Sequence, residues 1–252
     1  ITELAPILSR IADALERIAP KSSKDADLTA HAAYLWRDGH LSAVTDFRSQ
    51  PLDLLTGIEA QKEALLRNTR RLANGLPAHD VLLWGSRGMG KGSLSKSVVA
   101  TLQVEGLPVA LIEIARDALP SLPLLFNRLR GIDRHFVLFA DDLSFEGDYS
   151  AAKALRTLLE GGAEARPGNA RLYVTSNRRH LVDRDLKEQD SAINLRDVVD
   201  DKLALSDRFG LSLGFHNCDQ ATYLDMVRGY AKAADVPFDE HDALEWAVTR
   251  GS

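Results

Sequence analysis

Short runs of consecutive apolar residues alternate along this chain with longer segments in which apolar positions recur every three or four residues. A continuous apolar run bounded by turn residues is typical of a strand buried on both faces, and the longer period is typical of an amphipathic helix. The runs predict strands at residues 81–84, 109–114, 136–140, 172–175 and 211–215. The periodic segments predict helices at Glu59 to about Ala73, Lys91–Gln103, Pro120–Arg130 and Tyr149–Glu160. This alternation indicates an α/β fold with a parallel sheet and helices on both faces.

Both ends of the chain carry helical patterns outside this alternation. Apolar residues between Leu4 and Ile18 form one stripe of an N-terminal helix, which we expect to pack on the body of the same chain rather than on a partner helix. A polar linker at 21–25 precedes a further helix expected over Ala30–Arg37. Near the other end, Asp219–Ala234 and Asp239–Arg250 predict two helices with no strand between them.

These patterns divide the chain into three regions. Residues 1–50 are the N-terminal helical region and linker, residues 51–215 the α/β core, and residues 216–252 a small helical appendage. The chain begins with Ile1 rather than Met, so we expect a fragment whose natural start is missing.

The composition is that of an ordinary soluble globular protein. Apolar residues make up 45% of the 252 residues and charged residues 27%, enough to build a sizeable core. A net charge of −5 does not favour a protein that coats nucleic acid or anionic membranes, although it leaves room for a local basic patch. The single cysteine, Cys218, excludes a disulfide within the chain and suits a reducing cytoplasm. No apolar run reaches the ~18 residues of a membrane span, so we expect a cytoplasmic protein.

The segment after the first predicted strand is rich in glycine. Gly85, Gly90 and Lys91 satisfy the spacing G-x-x-x-x-G-K of a P-loop. In such a loop, backbone N–H groups surround a phosphate, the lysine supplies a positive charge, and the N-terminus of the next helix faces the same anion. The residues predicted to form this phosphate site are Gly85, Ser86, Arg87, Gly88, Met89, Gly90, Lys91, Gly92 and Ser93.

One position of the motif departs from the P-loop pattern. The Ser or Thr whose hydroxyl binds Mg2+ is replaced by Gly92, and Ser93 follows one residue late as the candidate metal ligand. We expect this departure to impair hydrolysis more than nucleotide binding. The rival dinucleotide motif, G-x-G-x-x-G from Gly88, needs a glycine where Ser93 stands and is therefore the weaker interpretation.

Polar residues follow two further predicted strands, at the ends that line the ligand crevice of a parallel sheet. Asp141 and Asp142 come directly after one strand, and Asn177 follows the next. We assign Asp141 to Mg2+, because a P-loop needs a carboxylate on a neighbouring strand. Asp142 stands where a base would deprotonate the attacking water, and Asn177 could hydrogen-bond the γ-phosphate or that water. The alternatives are a surface acidic pair and an ordinary turn residue.

The order of these motifs resembles that of the AAA+ ATPases. The P-loop, the pair Asp141-Asp142, Asn177 and the run 205–209 correspond to Walker A, Walker B, sensor 1 and the arginine-finger box. The longer runs 139–146, 159–162, 175–181 and 205–211 are similar to a bacterial AAA+ family named domain of unknown function eight-one-five. With the segment 54–92 they cover most of the chain after the N-terminal helices. The resemblance implies a P-loop ATPase core with a five-stranded parallel sheet, followed by a helical lid.

The resemblance also implies further site residues. Those expected near adenine are Leu55, Gly57 and Ile58. Arg208 would reach the γ-phosphate bound to a neighbouring subunit, where a planar guanidinium can stabilise developing phosphoryl charge. A salt bridge to Asp207 or Asp201 is the structural alternative for Arg208. Rival candidates for the arginine finger are Arg178 and Arg179.

The sequence therefore predicts an AAA+ protein that binds ATP or ADP with Mg2+. Its hydrolysis is expected to be weak and to depend on a homo-oligomer in which Arg208 acts in trans. The lid arginine called sensor 2 in this family would lie just beyond residue 251, where the chain stops, and this too predicts slow hydrolysis. The client of such an ATPase is not indicated by any motif.

Two other functions stay open at this point. The first is a nucleotide-gated binding module, such as a helicase loader or a chaperone-like scaffold, in which ATP controls assembly and little is hydrolysed. In that case Arg178, Arg179 and the arginine cluster at 67–71 could contact nucleic acid. The second is a nucleotide kinase, but the sequence contains no arginine-rich lid segment for a second phosphate acceptor.

Overall fold

The computed structural model describes residues 25–143, 155–159, 166–177 and 207–250. Its strands are β1 (Ala33–Arg37), β2 (His40–Val44), β3 (Val81–Gly85), β4 (Val109–Ile114), β5 (His135–Ala140), β6 (Ala170–Ser176) and β7 (Leu211–Phe215). Its helices are α1 (Glu59–Ala73), α2 (Lys91–Val104), α3 (Leu122–Leu129), α4 (Gln220–Ala233) and α5 (Glu240–Arg250). Two short 3-10 helices cover Leu52–Leu54 and Arg116–Ser121, and residues 155–159 are also helical.

The strands form one mixed sheet in the order β2-β1-β4-β5-β6-β3-β7. Every pairing in it is parallel except that of β1 with β2. The five strands that the apolar runs predict are all present and parallel, and the α/β fold class is confirmed. The prediction of five strands was wrong in number, because β1 and β2 extend the sheet at one edge.

Helices cover both faces of this sheet, as predicted. On one face α1 and α2 pack against strand residues such as Leu83 and Phe139, and on the other face α3 packs against residues such as Leu82 and Leu138. Neighbouring residues of a strand point to opposite faces, so continuous apolar runs supply both cores. The central strands are therefore fixed from both sides, which holds their carboxyl ends in place.

The predicted helix over Ala30–Arg37 is wrong, because Ala33–Arg37 form β1 of an antiparallel hairpin. Arg37 pairs with His40 across a two-residue turn, and both turn residues, Asp38 and Gly39, have positive φ angles of 51° and 74°. Such a turn matches the twist of a hairpin, and an Asp-Gly pair is a strong signal for it. The sheet thus extends into residues 25–50, and the domain boundaries stay a prediction.

The C-terminal helices agree with their predicted positions. α4 begins after Asp219, whose carboxylate accepts a hydrogen bond from the backbone N–H of Thr222 (2.8 Å), a typical N-cap. Within the described residues, no helix is both long and apolar enough to cross a membrane. The predicted N-terminal helix, residues 178–206 and most of the helix at 149–160 lie outside the described residues.

We predict that Trp36→Ala lowers the free energy of unfolding by about 3–5 kcal/mol. Trp36 is fully buried, its indole N–H donates to the Ser121 hydroxyl (2.9 Å), and the Arg128 guanidinium lies 4.9 Å from its ring centre. Urea denaturation of the purified chain measures the change. The control is Arg37→Ala on the same strand, an exposed position where we expect a loss of about 0.5 kcal/mol or less. Equal losses would show that β1 is not part of the core.

Candidate functional site

The loop between β3 and α2 begins at a position that only glycine can occupy. Gly85 has a φ angle of 129°, and a Cβ atom there would lie 1.9 Å from the carbonyl oxygen of Phe215 on β7. The next residue, Ser86, donates its backbone N–H to that same oxygen (2.9 Å). Close contact with β7 therefore sets the direction in which the chain leaves the sheet.

The rest of the loop also uses left-handed backbone. Gly88 and Gly90 have φ angles of 75° and 82°, a region that residues with a Cβ rarely adopt. Gly90 is the N-cap of α2 and no side chain caps it, so the first N–H groups of α2 face the loop. The sequence-predicted phosphate loop thus has the strand, turn and helix N-terminus that the motif requires.

Lys91 folds back into this loop. Its ammonium donates to the carbonyl oxygens of Gly85 and Ser86 (2.8 Å each) and to the amide oxygen of Asn177 (3.3 Å). The side chain is only 8% exposed. Burial lowers the pKa of Lys91, whereas the nearby carboxylates of Asp142 and Asp141 act to raise it. The folded chain therefore holds a cation at the centre of the predicted site.

The two predicted acidic residues leave β5 beside the end of β6. The Thr175 hydroxyl contacts both of them, because it donates to Oδ1 of Asp141 (2.5 Å) and accepts the backbone N–H of Asp142 (2.7 Å). The backbone of Asp142 has a φ angle of 48°, which is uncommon for a residue with a side chain. The structure thus brings Asp141 and Asp142 to the carboxyl end of the sheet, next to Lys91 and Asn177.

The Asp142 carboxylate is held by two groups of the site. The Asn177 side-chain amide donates to it (2.6 Å), and the Arg87 guanidinium lies 3.5 Å from its other oxygen. Since Asn177 also accepts from Lys91, the amide bridges the cation and the carboxylate. In this arrangement a chain of polar contacts runs from Lys91 through Asn177 and Asp142 to Arg87.

Gly92 lies directly opposite Asp141. A Cβ atom at residue 92 would be 3.5 and 3.6 Å from the two carboxylate oxygens and 3.6 Å from the Phe139 ring. Successive side chains of a helix are rotated by about 100° about the helix axis. A side chain at position 92 would face Asp141, so the side chain of Ser93 points in another direction. Ser93 lines the same cavity and is exposed. A hydroxyl at position 92 would therefore face Asp141, and the assignment of Ser93 to the metal stays a prediction.

The residues predicted near adenine lie at the other side of the loop. Leu55 and Ile58 are buried, and a Cβ atom at Gly90 would come within 3.8–4.0 Å of their side chains. Gly57 has a φ angle of 81° and lies against Thr222 of α4. The predicted lid therefore contacts the segment that is expected to hold adenine.

An open cavity of about 530 Å3 connects the loop with the acidic pair. Five of its lining residues were not among the predicted site residues: Arg48, Ser49, Gln50, Lys96 and Thr175. Arg48 is ion-paired with Asp46 (2.6 Å), and Lys96 with Glu113 (3.0 Å). Lys96 could have been found in the sequence, since it lies on α2 about one turn after the loop. Arg48 precedes the glycine-rich loop by many residues, and no local pattern connects it to the site.

Arg208 does not line this cavity. It is an exposed residue in the turn before β7, between Asp207 and the buried Phe209. Its rivals Arg178 and Arg179 lie outside the described residues.

The residues present are compatible with Mg2+. Asp141 offers an oriented carboxylate, and Mg2+ in nucleotide sites is usually held by one or two carboxylates together with phosphate oxygens and water. Within the described ranges, no group of three or more His, Cys, Asp or Glu side chains could form a metal site by itself.

A family model described as Protein of unknown function (DUF815) matches residues 29–252. The chain belongs to this family. The match confirms the family resemblance drawn from the motifs. No curated protein sequence matches this DUF815 chain.

Solved structures share the fold of this DUF815 chain. The Thermotoga maritima RuvB Holliday junction branch migration motor is 19% identical to it, with a TM-score of 0.50 over 78% of this chain and 58% of RuvB. The Aeropyrum pernix ORC1 protein, solved in complex with DNA, is 16% identical, with a TM-score of 0.50 over 71% of this chain and 50% of ORC1. The chain thus spans about half of the length of these two proteins. At such identities the likeness shows the fold alone, which is that of the AAA+ P-loop ATPases.

Proposed function

We propose that this protein binds ATP and ADP with Mg2+ in the cavity between the glycine-rich loop and the acidic pair. The observation that carries the proposal is the position of Lys91, whose buried ammonium lies among loop carbonyls and within 3.3 Å of Asn177. Phosphate oxygens would replace the carbonyl oxygens as acceptors, and the N–H groups at the start of α2 would add further donors. Asp141 would hold Mg2+, which neutralises phosphate charge when bound.

The charges of the cavity support an anionic ligand. Its cationic lining residues are Arg48, Arg87, Lys91 and Lys96, and its anionic ones are Asp141 and Asp142. Because burial lowers the pKa of Lys91, its charged form is less stable here than in water. A phosphate bound beside the ammonium would stabilise the charged lysine and offset this cost of burial. The burial of Lys91 therefore favours the binding of an anion at this position.

Hydrolysis is proposed to be slow unless the site rearranges. Asp142 would serve as the base for the attacking water and Asn177 would position that water, but both side chains are engaged with each other (2.6 Å). Gly92 supplies no hydroxyl for Mg2+. These two features favour a protein in which assembly or a partner completes the catalytic arrangement.

The assembly that we propose is a homo-oligomer with Arg208 in trans. Arg208 is exposed and does not line the cavity of its own chain, which is what an arginine finger for a neighbouring subunit requires. The motifs and contacts described above do not indicate which client such an oligomer acts on.

A second candidate is a nucleotide-gated binding module that hydrolyses little. It is favoured by the hydrogen bond between Asn177 and Asp142 and by Gly92, which would weaken turnover without removing a group that binds phosphate. Salt-dependent binding to single-stranded DNA would support a nucleic-acid form of this module, because phosphate contacts release counterions. Binding of nucleotide with no turnover at any protein concentration would favour it over the ATPase.

We predict that Lys91→Ala reduces ATP affinity by about a hundredfold or more, because it removes a buried cation that would pair with phosphate. Isothermal titration calorimetry of the purified chain with ATP and Mg2+ measures the effect. The control is Lys232→Ala, an exposed lysine at the end of α4. Unchanged affinity in Lys91→Ala, with a normal affinity in the control, would refute the proposed site.

We predict that Gly92→Ser raises Mg2+-dependent ATP turnover at least about tenfold, because the new hydroxyl would face Asp141 and join the metal shell. The space at residue 92 accepts a side chain at ordinary contact distances. Phosphate release at several Mg2+ concentrations measures the rate. Gly92→Ala is the matched control, since it adds the Cβ atom without the hydroxyl. An equal increase in both variants would exclude the hydroxyl as the cause.

We predict that ATP turnover per subunit rises with protein concentration and falls about a thousandfold or more in Arg208→Ala. Mixing Arg208→Ala with Asp142→Asn should restore part of the activity, because each subunit then supplies the group that the other lacks. Arg228→Ala, which removes an exposed arginine paired with Asp225, is the control. A rate that is independent of concentration, with no recovery on mixing, would contradict action in trans.

A further inference from the structure

Thr175 lies at the junction between the two halves of the candidate site. It is the sixth of the seven residues of β6 and is only 2% exposed. In the sheet, β6 separates β3, which leads into the phosphate loop, from β5, which leads into the acidic pair. In the sequence, this threonine is the last residue of the strand predicted at 172–175, and no motif assigns it a role.

Three successive residues after β5 are hydrogen-bonded to Thr175. Its hydroxyl donates to Oδ1 of Asp141 (2.5 Å) and accepts the backbone N–H of Asp142 (2.7 Å). Its carbonyl oxygen accepts the backbone N–H of Leu143 (2.8 Å). One residue therefore determines both the direction of the Asp141 side chain and the path of the backbone through Asp142.

These contacts leave Asp141 in a defined orientation. Oδ1 receives the Thr175 hydroxyl, and both carboxylate oxygens remain within 3.6 Å of the position that a Cβ atom at residue 92 would take. A carboxylate that already accepts one hydrogen bond keeps lone pairs on its second oxygen for a metal. Since Gly92 has no side chain, no hydroxyl at position 92 can share this metal with Asp141.

We propose that Thr175 is a positioning residue of the metal site. Its hydroxyl fixes the Asp141 carboxylate towards Gly92, so that Mg2+ bound with a nucleotide finds one oxygen already oriented. It also holds the left-handed turn at Asp142, which places that carboxylate beside Asn177. Both effects reach the ligand through the aspartates, and Thr175 itself does not contact the reacting atoms.

A merely structural role would give a different result. The backbone bond from Leu143 to Thr175 does not use the hydroxyl, so it would still join β5 and β6 in a variant without it. Loss of the hydroxyl should therefore affect the aspartates more than the sheet. The readout that separates the two roles is the dependence of nucleotide affinity on Mg2+.

The test compares Thr175→Val with the full wild-type chain by calorimetric titration of ADP, once with Mg2+ and once with EDTA. We expect about a tenfold loss of affinity with Mg2+, the typical effect of one hydrogen bond to a charged group, and less than about a twofold change with EDTA. Thr175→Ser keeps the hydroxyl and should restore the Mg2+ effect. Thr69→Val, which removes another buried hydroxyl 2.8 Å from Tyr173, should change neither affinity.

Each outcome decides between the two roles. An equal loss with Mg2+ and with EDTA, or no loss in either, would overturn the inference. If Thr175→Val does not fold, Thr175→Ser and Thr175→Ala form a second pair of variants that differ in the hydroxyl. If ADP affinity depends equally on Mg2+ in these two variants, the inference is overturned as well.

The inference rests on the proposed nucleotide site. A wild-type chain that binds no ADP would refute both, whereas Mg2+-dependent wild-type binding that Thr175→Val preserves would refute this inference alone.

Discussion

The position of β6 between β3 and β5 is the constraint on which the candidate site depends. β3 leads into the glycine-rich loop and β5 into the acidic pair, and each pairs with β6 rather than with the other. The polar groups of the two strands therefore meet through β6: Asn177 lies between Lys91 and Asp142, and Thr175 contacts both aspartates. Because all three strands are parallel and buried on both faces, sheet hydrogen bonds and two cores fix these distances.

The electrostatics of the site follow from this arrangement. Lys91 is buried at the point where the three strands end, and carbonyl and amide oxygens accept its hydrogen bonds. These acceptors satisfy the ammonium without cancelling its charge, since they are dipoles and carry no net charge. Asp141 and Asp142 favour the charged lysine, but burial dominates and lowers its pKa. An anion placed against the loop would therefore meet a positive charge that the fold already holds in position.

The sequence predicted the parts of this fold that depend on local patterns. The strand at Val109–Ile114 and the helix at Glu59–Ala73 have the predicted bounds, because each carries a strong apolar pattern between clear turn residues. The hairpin at Ala33–Val44 was missed, since its alanine, leucine and arginine residues are also good helix formers. Its signals were the alternation of buried Tyr34 and Trp36 and the Asp-Gly turn, and tertiary burial against α3 overrode the helical preference.

The order of the strands could not be predicted in the same way, because it depends on pairings between residues far apart in the chain. Thr175 illustrates the consequence: in the sequence it is an ordinary β-branched strand residue, and only the neighbouring end of β5 gives its hydroxyl two partners. Gly92 illustrates the converse, since the motif alone marks it as the loss of a metal-binding hydroxyl. The geometry shows that Asp141 accepts a hydrogen bond from the Thr175 hydroxyl on β6, which orients the carboxylate but does not replace a metal-binding hydroxyl on α2. What a missing loop hydroxyl does to the metal site therefore depends on the neighbouring strand as well as on the loop.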